Sequence, residues 1–120
     1  MSSSARSLFV FAVYLVLLGV ALLVTPNTLL KLFAFPTTDK VWIRVIGMLV
    51  VLLAFYYAQA ARKEMRDFFQ WTVYTRGSVI VFFIAFVALD FAEPTLILFG
   101  AVDLLGAAWT QVTLRSSRRT

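Results

Sequence analysis

Three charged side chains lie inside the long, otherwise apolar stretches of this chain, away from their ends: Arg44, Arg76 and Asp103. Read at helical spacing, each has defined company. Arg44 shares a face with Gly47, Val51, Ala54, Ala58 and Ala61. Asp103 shares one with Gly100, Ala107 and Thr110, with Gly106 alongside, and Arg76 lies with Thr72, Ile80 and Phe83. Two of these faces are built of small residues, along which helices in lipid approach closely. A charge near mid-bilayer costs roughly 2.5–3.5 kcal/mol even on a lenient insertion scale, so all three are expected to face a protein interior and to have partners. Tyr14, in the middle of the first apolar run, is too central for an interfacial position. It is a candidate hydrogen-bond partner for Asp103 or for a ligand. Arg44, Arg76, Asp103, Tyr14 and Thr110 form the expected polar core.

Depth and side-chain direction set what this core can do. Asp103 comes about 6 Å axially from Arg76 and about 7.5 Å from Arg44 in a hydrocarbon core of about 30 Å, and a guanidinium spans either gap. Helical side chains lean toward their own N-terminus, which draws Asp103 and Arg76 apart. Consecutive order of their helices brings them together. One cluster, with Asp103 shared by both arginines, is expected. It carries an excess positive charge, and an unpaired buried charge is costly. Water, a lipid headgroup or an anionic ligand would offset it, and a planar oxyanion suits the guanidinium fork. A structural ion cluster that fixes helix register is the competing reading. Catalysis is not expected. The chain has neither cysteine nor histidine, which removes thiol chemistry, thiolate metal sites and the commonest general base. Asp, Arg and Tyr alone leave no nucleophile–base arrangement, so no catalytic residue, metal or cofactor is assigned.

The elements that must position these residues follow from hydropathy. The 120 residues are 62% hydrophobic and 14% charged, against roughly 45–50% and about 25% in soluble domains. A soluble domain of this size has too much surface to hide so much apolar side chain. Four runs at residues 8–24, 41–61, 68–91 and 95–114 reach or approach the length of about 20 residues that spans a bilayer. Pro26 ends the first, the charged stretch from Arg62 to Asp67 separates the second and third, and Pro94 precedes the fourth. The apolar stretch from Asn27 to Phe35, bracketed by Pro26 and Pro36, is too short to cross. It reads as a short interfacial helix, with a lid over a cavity as the functional alternative. The expected fold is all-α: one integral-membrane domain over residues 1–120, an up-down four-helix bundle with a short interfacial helix between helices 1 and 2. Most of Trp42, Tyr56, Tyr57, Trp71, Tyr74 and Trp109 fall at belt positions.

Lys and Arg in the short loops set orientation. Seven fall on the side of the termini: Arg6, Arg62, Lys63, Arg66, Arg115, Arg118 and Arg119. Two, Lys31 and Lys40, fall on the other. This predicts a multi-pass protein of the plasma (inner) membrane with both termini cytoplasmic. The first run, too long for a signal-peptide core and followed by Thr25-Pro26-Asn27, reads as an uncleaved anchor. Attraction to anionic lipid accounts for the basic tail, and no nucleic-acid partner is expected.

The pattern Trp42-Ile-Arg44-Val-Ile-Gly47 opening the second run, Tyr56-Tyr57 closing it, Arg76 in the third and Phe99-Gly100-Ala-Val-Asp103 in the fourth resembles the DoxX-like small four-helix membrane proteins. The resemblance covers most of the chain and implies an up-down four-helix bundle. Some members are linked with quinone-coupled sulfur oxidation and others with chaperoning of membrane partners. No catalytic residue is implied here. The expected function is non-enzymatic: a binding or accessory membrane protein for a lipid, quinone, small amphiphile or membrane partner, whose partners are membrane lipids and a hydrophobic or anionic small molecule. The alternative is a homo-oligomeric transporter or channel for a small anionic solute. Small multidrug transporters match in length and span number, but the carboxylate expected in the first span is absent.

Overall fold

A computed structural model describes residues 1–118. Arg119, part of the basic tail counted above, lies with Thr120 outside the described residues. The described chain is helical throughout, without strands: α1 (Ser3–Val24), α2 (Pro26–Leu32), α3 (Trp42–Arg62), α4 (Arg66–Ala88) and α5 (Leu96–Arg118). All but α2 are long and apolar enough to cross a membrane.

Local chemistry sets the helix ends. α1 begins five residues before the apolar run, because Ser2 caps it by accepting from the Ala5 N–H at 3.1 Å. Pro26 closes α1 and opens α2 at its first turn. α2, α3 and α4 all end with a residue at positive φ, namely Ala34 (61°), Glu64 (53°) and Asp90 (61°). In each case the next N–H bonds five residues back: Phe35 to Leu30, Met65 to Ala60 and Phe91 to Phe86. This is the Schellman closure, made without glycine. It stops α4 at Ala88, three residues short of the expected end. Pro94 and Thr95 form a turn ahead of α5, which starts at Leu96.

The four long helices alternate in direction and associate as two pairs. α1 packs along α3, and α4 along α5. The pairs join chiefly through α1 against α5, while α3 and α4 hardly touch. Consecutive helices were expected to be close neighbours, and for α3 and α4 this is corrected. Close approach needs small residues. Where α1 crosses α3, a Cβ on Gly19 would lie 2.8 Å from the Gly47 carbonyl oxygen, and one on Gly47 would lie 2.8 Å from that of Gly19. Along the gap between α3 and α4 stand instead Leu53, Phe82 and Phe86.

Packing is tight at the end that holds the termini. Ala5, Leu8, Ala61, Phe69 and Leu114 are fully buried there. Glu64, in the α3–α4 turn, accepts from the Ser2 backbone N–H at 2.7 Å and from the Ser2 hydroxyl at 2.6 Å. These two donors hold the Glu64 carboxyl below its usual range. Gln70 donates to Gln111 at 2.9 Å, tying the start of α4 to the end of α5. Toward the other end the two pairs splay.

Candidate functional site

The splay leaves a cavity of about 970 Å³ between the helix pairs. Leu15, Leu18 and Leu22 of α1, Ile43 and Val50 of α3, and Val79 and Phe83 of α4 form much of its wall. Leu29 and Leu30 of α2 lie across its far end. Phe33 and Phe35, which follow α2, meet Phe99 of α5 with ring centroids 4.9 and 6.2 Å apart. Asn27 steadies this closure by accepting from the Thr38 N–H at 2.9 Å. Ile46 and Leu53 of α3 and Phe82 and Phe86 of α4 line the cavity and are also exposed. The cavity therefore opens sideways, between α3 and α4.

Five polar side chains line it: Tyr14, Tyr57, Thr75, Arg76 and Asp103. Arg76 is only 3% exposed and is held from the floor side. Its Nε donates to the Thr72 carbonyl at 3.3 Å, and its Nη2 donates to Thr72 Oγ1 at 3.1 Å and Thr110 Oγ1 at 2.8 Å. Its Nη1 is buried without a hydrogen-bond partner, beside Gly106, where a Cβ would lie 3.0 Å from it. The guanidinium also sits over the Phe11 ring at 4.7 Å and the Tyr57 ring at 5.8 Å, an arrangement in which the ring faces offset positive charge.

The polar run continues below. Ser7 Oγ lies 2.7 Å from Thr110 Oγ1 and donates to the Ser4 carbonyl at 2.7 Å. A hydroxyl has one proton to give, so Thr110 donates to Ser7 while it accepts from Arg76. The direction of the whole chain, Arg76 to Thr110 to Ser7 to Ser4, is thereby set.

The structure brings together four of the five expected core residues. Arg76 and Thr110 are bonded, and Tyr14 and Asp103 face the same cavity. Arg44 is a correction. It is exposed and donates from Nη1 to the Leu23 carbonyl, at the C-terminal end of α1. That end carries the partial negative charge of the helix dipole, which offsets the guanidinium there. Arg44 therefore does not join Asp103, and the shared three-charge cluster is not formed. Asp103 has no hydrogen bond or ion pair to any described residue. Side-chain direction explains this. Arg76 leans toward its own N-terminus and reaches Thr110, seven residues or about 10 Å along α5 from Asp103.

Tyr57 is the exception among the belt candidates, being 4% exposed and packed between Phe11 and Phe68 at 5.9 and 5.7 Å. Trp42, Tyr56, Trp71, Tyr74 and Trp109 are exposed as belt residues are. Sequence reasoning missed Ser4, Ser7 and Phe11. The signal for the serines is their i, i+3 spacing, but the apolar run starts one residue after Ser7. Comparison with family models, curated proteins and solved structures finds no match to this chain.

Proposed function

We propose that this chain is a multi-pass protein of the plasma (inner) membrane, with both termini cytoplasmic, that binds a lipid, quinone or other small amphiphile between its helices and catalyses nothing. One observation carries the reading: the cavity of about 970 Å³. Ligand sites run to about 300–1,000 Å³, are mostly apolar with a few placed polar groups, and occur between the helices of bundles. Here the end toward α2 is apolar, and the polar groups begin with Asp103, about 10 Å below the start of α5. The sideways opening suits a molecule that arrives from lipid. The DoxX-like resemblance points the same way, since it implies this architecture and no catalytic residue.

Thermal unfolding of the purified protein in detergent, with and without added phospholipid, ubiquinone or single-chain amphiphiles, tests this. Stabilisation by at least one class is expected, and Val50→Trp, which fills the cavity, should reduce it. No stabilisation by any class would count against binding. Solute flux across proteoliposomes without such stabilisation would favour the transporter alternative.

A further inference from the structure

Resting on that reading, we propose that the bound amphiphile carries a cationic, hydrogen-bond-donating head, such as a primary ammonium, and that Asp103 is its counter-ion.

Two charges reach the cavity, and they are not equally available. Arg76 is engaged. Two of its three nitrogens donate to Thr72 and Thr110, and the third is buried against Gly106 and under Phe11. The guanidinium fork is therefore not presented to a ligand. Asp103 is the reverse. Its side chain lines the cavity without a hydrogen bond or ion pair to any described residue. An ionised carboxylate in apolar surroundings needs a partner, and the described protein groups supply only the through-space field of Arg76.

Electrostatics and shape favour the same head. The excess positive charge that would have called for an anion is gone, because Arg44 lies outside the cavity on the Leu23 carbonyl. A head in contact with Asp103 sits a few ångströms from the carboxylate and farther from the Arg76 guanidinium, which is held toward Thr110 with its Nη1 beside Gly106. Coulomb energy falls with distance, so the attraction outweighs the repulsion. Aromatic rings flank the site. Tyr14, Phe83 and Phe99 line the cavity together with Asp103, and Phe99 precedes Asp103 by one turn. Aromatic lining suits an organic cation, and the apolar end beneath α2 accepts its tail.

Ligands with one tail and three heads test this with the full chain in a non-ionic detergent at pH 7: dodecylammonium, dodecanol and dodecanoate. The expected order is dodecylammonium at least tenfold tighter than dodecanol, with dodecanoate weakest. Asp103→Asn should abolish the tenfold preference while keeping the dodecanol affinity, and Asp103→Glu should restore it. Dodecanoate binding tightest, or an ammonium preference unchanged in Asp103→Asn, would overturn the assignment of Asp103 yet leave the cavity reading standing. No binding of any of the three would overturn both. If Asp103→Asn does not fold, the wild-type order decides by itself.

Discussion

At the scale of single residues, the cavity floor is a case of a buried cation held on one side by two hydroxyls and a carbonyl, with Nη1 left over aromatic rings. Thr110 does two jobs, accepting from Arg76 and donating to Ser7. Replacing it by valine keeps the shape and removes one hydrogen bond from Arg76 Nη2 and one from Ser7 Oγ, which retain Thr72 Oγ1 and the Ser4 carbonyl. Interhelical hydrogen bonds in membranes average about 0.6 kcal/mol each and reach about 1.7, and two are lost. Thr110→Val is therefore expected to destabilise by about 1–2 kcal/mol, read as a lowered midpoint of thermal unfolding in detergent. Ser78→Ala, which removes only an exposed bond to the Thr75 carbonyl of its own helix, should stay within about 0.5 kcal/mol of wild type. Equal effects of the two changes would contradict the network.

Between elements, glycine decides which helices meet. Gly19 and Gly47 each occupy a place where a Cβ would press on the other's carbonyl oxygen. Gly77 faces open space, with nothing within 4 Å of an added Cβ. The same substitution should then act in opposite directions. Gly47→Ala forces α1 from α3 and is expected to cost about 1–3 kcal/mol, as overpacking does. Gly77→Ala gains up to about 1 kcal/mol from helix propensity. Midpoints of thermal unfolding check both, and a Gly47→Ala protein as stable as wild type would refute the close crossing. The absence of such a glycine pair between α3 and α4 is the reason that side of the bundle stands open.

For the whole molecule, the proposed orientation rests on the distribution of basic residues, seven on the side of the termini against two on the other. The bias of Lys and Arg in short loops sets topology. The structure puts the α1 start, the α3–α4 turn and the α5 end at one end through the Ser2–Glu64, Ser7–Thr110 and Gln70–Gln111 bonds, so one measurement fixes all three. The chain has no cysteine, which makes single introduced cysteines clean reporters. A cysteine replacing Lys63 should be labelled only by membrane-permeant reagents in intact cells, and one replacing Lys40 by impermeant reagents as well. The opposite pattern would invert the assignment.

Hydropathy and the positions of Pro26, Pro36 and Pro94 sufficed to locate four long helices and one short one. Spans and breaks are local properties, set by twenty or so consecutive side chains and by backbone groups that proline lacks. The faces of Arg76 and Asp103 were legible for the same reason, since helical periodicity is local. Helix ends at Ala34, Glu64 and Asp90 were not, because the left-handed closure there uses residues with no glycine signal. Which charges meet was decided only in three dimensions. Two axial depths placed Arg44, Arg76 and Asp103 within reach of one another, but reach depends on rotation about each axis and on the crossing of non-consecutive helices. The Gly19–Gly47 crossing set Arg44 against the end of α1, and the descent of Arg76 to Thr110 left Asp103 without a hydrogen bond on the cavity wall. The cavity itself belongs to no single segment. It exists because α1 grips α3 and α4 grips α5 more closely than either pair grips the other, a balance of packing that no single stretch of sequence encodes.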